Sequence, residues 1–327
     1  MRKRNLARMI WMMTHRRSRA TWKIPGEFGE GLGKSTKIRR TQASAEVIMR
    51  QVKSYLALAS LCLPTLLFSA QGQTPAPPQP SPTAPMYQQK GEQYRIYNFP
   101  GTGESIPYRL FVPSRWTPNT RLPMLVTLRA GNTVDGPYRA GNDLVKQAEQ
   151  RGYLVVTPMG YRGLSQPYYG SPYPVVRPTG PSTPAAGWTA QENERSEQDV
   201  MYVIDLVAKE YNVDTARIHL HGQNPSGSGA LHLAAKYPDK FAALVVSSGP
   251  IVYDNYPFNN IKGKMGLLLI HGDQDTSNPI AASQKLAEVA RAAGVETTYA
   301  TVPGGTHLEA YLTYASQIFD FLDKHKK

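Results

Sequence analysis

Short apolar runs of strand length alternate along the chain with segments whose apolar residues recur at the helical period. The first two runs follow each other without a helix, as antiparallel neighbours do, and helical segments separate most of the later ones. This order predicts an α/β fold in which a mostly parallel, eight-stranded sheet has helices on both faces. The predicted strands are residues 94–99, 107–112, 123–128, 153–157, 217–221, 242–247, 265–270 and 297–302, and the predicted helices are 141–151, 195–211, 227–236, 280–293 and 308–325.

The net charge of +13 would favour nucleic acid or an anionic membrane as a partner. Residues 1–53, however, carry +11 of this charge, which leaves +2 on the rest of the chain. Residues 1–48 can be interpreted as a transit peptide, as a nucleic-acid-binding arm or as the product of a start codon assigned too far upstream, and the last is favoured. Nucleic acid is therefore not expected as a partner of the folded part.

Residues 49–72 have the three parts of a secretory signal peptide. A basic start at Met49–Lys53 precedes the uncharged apolar run Tyr55–Phe68, and Ala70-Gln71-Gly72 offers a small-residue cleavage site. The apolar run is too short for a membrane span of about 20 residues. We therefore expect a secreted or periplasmic protein without a stable membrane span.

The lone cysteine, Cys62, lies inside this signal segment and permits neither an internal disulfide nor a cysteine-based metal site. A lipidation site at Cys62 is disfavoured because the preceding Leu61 is bulky. No spacing of histidine and acidic residues resembles a metal site either, so no metal and no cofactor is predicted.

Residues 73–91 are predicted to form a proline-rich linker, because a segment of this composition cannot pack a core. Residues 92–327 are predicted to form one folded domain. Within that domain the stretch 160–194 is rich in proline, glycine and tyrosine. A long loop of this kind is usually functional. It is expected to bind a sugar or an aromatic ester, to act as a lid, or to serve as an interaction surface.

Several stretches resemble the α/β-hydrolase superfamily, and within it the secreted branch of polyhydroxybutyrate depolymerase-like and feruloyl esterase-like proteins. They occur in the family's order over about 230 residues. The resemblance implies an α/β-hydrolase fold and a carboxylic-ester hydrolase ancestry. The matching stretches are YRLFVP at 108–113, RGYLVVTP at 151–158, YNVDTARIHLHG at 211–222, ALHLAAKYPDKFAALVVSSG at 230–249, LLIHGDQD at 268–275 and VPGGTH at 302–307.

In such enzymes a serine in a G-x-S-x-G turn is followed along the chain by an acid and then a histidine. The resemblance places the acid at Asp275 and the histidine at His307. His307 would then take the proton of the nucleophile, while Asp275 would fix its tautomer and stabilise the imidazolium.

The serine position of that turn falls on Asn224. A side-chain amide has no ionisable proton and is not a usable nucleophile. The next residue, whose N–H should contribute to the oxyanion hole, is Pro225, which has no N–H. In addition, Leu128-Arg129-Ala130-Gly131-Asn132 replaces the family's other oxyanion loop. Arg129 and Ala130 are thus predicted to line the cleft, where Arg129 is either solvated or binds a carboxylate.

Two functions remain open at this point. The favoured one is a catalytically impaired esterase-like protein that binds a small-molecule ester, a glycan or an aromatic ligand. The alternative is an active carboxylic-ester hydrolase that uses Ser226, with His307 as base and Asp275 as its orienting acid. Against Ser226, moving two residues into a helix rotates a side chain by about 200° and shifts it by about 3 Å.

Overall fold

The computed structural model describes residues 89–128, 143–161, 187–249, 256–309 and 313–327. The predicted basic extension, the signal peptide and nearly all of the proline-rich linker lie outside these ranges. So do Arg129 and Ala130, and most of the 160–194 stretch. Among the described residues, no helix combines the length and the apolar character that crossing a bilayer requires.

The predicted sheet is confirmed. It has eight strands in the order β1-β2-β4-β3-β5-β6-β7-β8. The pairs β1–β2 and β2–β4 are antiparallel. All the other neighbouring pairs, β4–β3, β3–β5, β5–β6, β6–β7 and β7–β8, are parallel. The strands are β1 (Gly91–Asn98), β2 (Ser105–Val112), β3 (Leu122–Thr127), β4 (Leu154–Pro158), β5 (Val213–Gln223), β6 (Ala243–Ser247), β7 (Gly266–Gly272) and β8 (Thr297–Val302).

Helices cover both faces of the sheet, and each face has its own apolar core. One core joins the sheet to α2, α3 and α5, and the other joins it to α1 and α6. Because β3, β4, β6 and β7 are buried throughout, their sequences are nearly continuous apolar runs. The described helices are α1 (Leu144–Arg151), α2 (Ala190–Tyr211), α3 (Pro225–Lys236), α4 (Phe258–Ile261), α5 (Ile280–Ala292) and α6 (Ala315–Leu322).

Two helices begin five or more residues away from the predicted start. Helix α2 begins at Ala190 rather than at residue 195, because Thr189 and Glu192 form a capping box. The Thr189 side chain accepts the Glu192 N–H at 3.2 Å, and the Glu192 carboxylate accepts the Thr189 N–H at 2.9 Å. Residues 190–194 are thus helical rather than loop. The last helix begins at Ala315, later than the predicted residue 308.

A buried ion pair ties α2 to α3. The Glu197 side chain is only 5 % exposed and accepts hydrogen bonds from His232 at 2.9 Å and from Lys236 at 2.5 Å. Burial raises the pKa of Glu197, but these two hydrogen bonds outweigh burial and hold it below its ordinary value. Since α3 starts at the turn that follows β5, this contact holds in place the helix that shapes the turn.

Glu197→Gln is expected to lower the free energy of unfolding by about 1–3 kcal/mol, because it removes the charge of a buried acceptor that two side chains share. Asp205→Asn, on the same helix, is the matched control. Asp205 is 67 % exposed and pairs with Lys240, so its loss should cost less than about 0.5 kcal/mol. Denaturant unfolding of both variants checks this, and equal losses would contradict the assigned role of Glu197.

Candidate active site

The turn between β5 and α3 holds its residues in a sharply constrained conformation. Asn224 has φ 51° and ψ −121°, a combination that side-chain-bearing residues rarely adopt. Pro225 opens α3, where a missing N–H costs no helical hydrogen bond. Gly222 allows the close approach of strand and helix, because a Cβ on it would lie 2.3 Å from the Ser226 carbonyl oxygen.

The surrounding backbone fixes this conformation from both sides. The Asn224 N–H donates to the carbonyl of Ser247, at the end of β6, over 3.0 Å. The Asn224 carbonyl accepts the Gly227 N–H, in the first turn of α3, at 2.9 Å. A conformation that costs about 1–3 kcal/mol persists only where neighbours determine it in this way.

The Asn224 side chain also has a partner that the sequence reasoning missed. Asn278 Nδ2 donates to Asn224 Oδ1 at 3.1 Å and to the Ser248 carbonyl oxygen at 2.8 Å. Asn278 lies three residues after Asp275, and its own N–H donates to Asp275 Oδ1 at 2.9 Å. One residue therefore joins the elbow of the turn to the predicted acid.

Asp275 and His307 lie in direct contact. His307 Nδ1 is 2.8 Å from Asp275 Oδ2, and their side chains are 18 % and 0 % exposed. Burial raises the pKa of Asp275, but the N–H groups of Ser277 and Asn278 and the His307 hydrogen bond outweigh it and hold the pKa below its ordinary value. The carboxylate is therefore ionised at neutral pH and can orient an imidazole.

A second histidine contacts the same oxygen of Asp275. His271, near the end of β7, is fully buried, with Nε2 3.1 Å from Asp275 Oδ2. The same nitrogen is 3.1 Å from the Asn278 carbonyl oxygen, and Nδ1 is 2.7 Å from the Ser283 hydroxyl. Both oxygens at Nε2 accept only, so Nε2 carries the proton and Nδ1 accepts from Ser283.

The loop that carries His307 is pressed against the strand that leads to Asp275. Gly272 ends β7, and a Cβ on it would lie 2.1 Å from the Gly305 carbonyl oxygen. The His307 carbonyl oxygen accepts the Ser248 hydroxyl at 2.8 Å and Gln223 Nε2 at 3.4 Å. Because Gln223 directly precedes Asn224, the loop and the turn are hydrogen-bonded to each other.

The alternative nucleophile, Ser226, lies inside the first turn of α3 and is 0 % exposed, whereas Asn224 is partly exposed. Among the described residues, no group of three or more His, Cys, Asp and Glu side chains is arranged to hold a metal ion. The predicted cleft residues Arg129 and Ala130 lie outside the described ranges.

A buried polar row crosses the sheet beneath the turn. His221, three residues before Asn224, contacts the Thr127 hydroxyl through Nδ1 and the Ser247 hydroxyl through Nε2, both at 3.1 Å. All three side chains are at most 2 % exposed. Burial lowers the pKa of His221 to about 4, so the imidazole is neutral at pH 7.

The sheet order, the turn after β5 and the Asp275–His307 pair together define an α/β-hydrolase fold of the esterase branch. A family model described as Putative esterase (Esterase) matches residues 100–322. Because this match covers more than half of the chain, the protein belongs to the Esterase family.

Among curated proteins, the bifunctional acetylxylan esterase/xylanase of Neocallimastix patriciarum is 28 % identical over 176 residues, which is 54 % of this chain and 22 % of that protein. The chain spans less than half the length of the curated relatives it matches.

Solved structures share the fold at low identity. An S-formylglutathione hydrolase from Agrobacterium tumefaciens has a TM-score of 0.55 at 13 % identity, and the match covers 72 % of this chain and 95 % of that one. A ferulic acid esterase from Anaeromyces mucronatus, solved with ferulic acid, has a TM-score of 0.52 at 16 % identity over 76 % and 97 % of the two chains.

Asn224→Gly is expected to relieve the backbone strain of the turn. Removing the strain should stabilise the fold by about 1–3 kcal/mol, and losing the Asn278 hydrogen bond should cost about 1 kcal/mol. The free energy of unfolding should therefore rise by roughly 1 kcal/mol relative to a matched control. That control is Asn212→Gly, at the end of α2 with φ 52° and ψ 55°, a position that asparagine tolerates. Both variants share the entropic cost of glycine, so equal unfolding energies would contradict the strain.

Acid is expected to destabilise the fold through its buried histidines. In the unfolded chain His221 has an ordinary pKa near 6.5, so its stabilising effect is complete above about pH 6.5 and is lost as pH falls towards about 4. The slope should be about 1.4 kcal/mol per pH unit for this group. His221→Gln should therefore lower the number of protons taken up on unfolding by about one, so that the free energy of unfolding falls less steeply as the pH is lowered.

His219→Gln provides the comparison, because burial lowers the pKa of His219 to about 3. In the double variant the number of protons taken up on unfolding should fall by about two, since both histidines are neutral in the folded state. Unfolding free energies measured between pH 4.5 and 7 check this, and an unchanged slope in all variants would contradict it.

Proposed function

We propose that this Esterase family protein binds an ester, glycan or aromatic ligand in the cleft beside His307 and has lost efficient acyl transfer. The observation that carries the proposal is the identity of the residue in the strained turn, which is Asn224. A partly exposed asparagine stands where the resemblance implies a nucleophilic serine, and Asn278 holds its side-chain oxygen.

Two chemical deficits support impaired catalysis. Acyl transfer requires a group that His307 can deprotonate, and the Asn224 amide has no proton of comparable acidity. Pro225 also lacks the N–H that would stabilise an oxyanion. Loss of one such donor typically costs about 10²- to 10³-fold in rate. Asp275 and His307 are placed to act as an acid and a base, but the residue at the serine position, Asn224, supplies no nucleophile for them to activate.

The active alternative through Ser226 receives little support. Its side chain is fully buried in α3, and the Gly222 backbone packs against the Ser226 carbonyl. A nucleophile has to approach its substrate to about 3–3.5 Å, which a side chain without solvent exposure does not do. Rotating Ser226 into the cleft would require the first turn of α3 to unwind.

The class of ligand is inferred from the relatives. One matched relative is named as an acetylxylan esterase, and one solved structure of the same fold holds ferulic acid. Both point to the acyl esters of plant-type glycans or to the aromatic acids released from them. Export by the signal peptide at residues 49–72 would bring the protein to such ligands outside the cytoplasm.

Hydrolysis of 4-nitrophenyl acetate tests the impaired site. The wild-type protein should hydrolyse it no faster than His307→Ala does. The triple variant Asn224→Ser, Pro225→Met and Ser226→Gly restores a hydroxyl and an N–H, and should raise the rate by about 10²-fold or more.

Adding His307→Ala to the triple variant is the control and should remove the gain, because the new hydroxyl needs a base. Wild-type hydrolysis that depends on His307 would overturn the proposal and favour the active esterase.

A further inference from the structure

Two hydrogen bonds fix which way the Asn224 amide faces. Asn278 donates through one nitrogen to both the Ser248 carbonyl oxygen and the Asn224 side chain. A backbone carbonyl only accepts, so the Asn278 group at that position is its NH₂. The Asn224 atom that receives the second hydrogen must then be oxygen. The Asn224 NH₂ accordingly faces away from Asn278.

His307 is oriented in a comparable way. Asp275 is a carboxylate and accepts the Nδ1–H, so Nε2 is the ring nitrogen left for a ligand. Within the described ranges, no residue forms a hydrogen bond with His307 Nε2 or with Asn224 Nδ2. Both residues belong to one hydrogen-bonded cluster, because Gln223 and Ser248 both donate to the His307 carbonyl.

We propose that this pair recognises a free carboxylate group rather than an ester, an inference that rests on the proposed function. Asn224 Nδ2 donates to one carboxylate oxygen, and His307 takes up a proton from solvent at Nε2 when the anion binds and donates a hydrogen bond through it to the other. Asp275 stabilises the imidazolium from behind. An ester offers one weak acceptor and no charge, whereas a carboxylate offers two oxygens and a full charge to such donors.

The charges around the pair are compatible with an anion. Asn224 caps α3, whose first turn carries no acidic residue, so the positive end of the helix dipole is not neutralised there. Gln223 and Ser248, which contact the His307 loop, are uncharged. Asp275 accepts hydrogen bonds from His307 Nδ1 and from the Ser277 and Asn278 N–H groups, and Glu309 accepts the Thr306 N–H on the same loop.

The test compares carboxylates with neutral analogues of the same shape. Ligand-observed NMR titrations of the purified protein use acetate against acetamide, and ferulate against methyl ferulate. In at least one pair the anion should bind about tenfold more tightly or better, as expected for hydrogen bonds to a charged group. Asn224→Asp replaces the donor with a negative charge, and this preference should then disappear.

Asn212→Asp is the matched control, because it makes the same substitution at the end of α2, away from the site, and should keep the preference. Equal binding of anion and neutral analogue in both pairs would overturn this inference while leaving the proposed function in place. Binding of none of the four compounds would overturn this inference as well. A preference that persists in Asn224→Asp would also overturn the inference.

Discussion

The close approach of strand β5 to helix α3 is the constraint on which the site depends. A side chain larger than hydrogen at Gly222 would collide with the Ser226 backbone, so the turn between them has one available path. That path forces Asn224 into a strained conformation and turns its side chain towards Asn278. Strain of this kind is usually retained where a residue has to be presented to a ligand. Here the presented group is an amide.

The elements around the turn hold Asn224, Asn278, Asp275 and His307 in one hydrogen-bonded cluster. Asp275 accepts three hydrogen bonds, two at Oδ1 and one at Oδ2, and so holds one charge and one orientation. This saturated carboxylate orients His307, and Asn278 links it to Asn224. The arrangement is pre-organised for polar recognition, and under the proposed function Asn224 and Pro225 leave it without a nucleophile and without one oxyanion donor.

Much of this could be predicted from the sequence. Buried parallel strands are continuous apolar runs, so all eight strands were located with small boundary errors. The pairing of Asp275 with His307 followed from the order of motifs. The start of α2 was missed because a capping box is a local signal that glycine and proline in the preceding loop obscured. Asn278 was missed because its side chain joins two partners, Asn224 and Ser248, that are distant in the chain.

Reaction with a fluorophosphonate, followed by the intact mass of the protein, tests the central claim most directly, since the probe forms a covalent bond only with an activated nucleophile. The account predicts no adduct on the wild-type protein. An adduct that maps to Ser226 and disappears in His307→Ala would contradict it, because the site would then contain a working nucleophile and base.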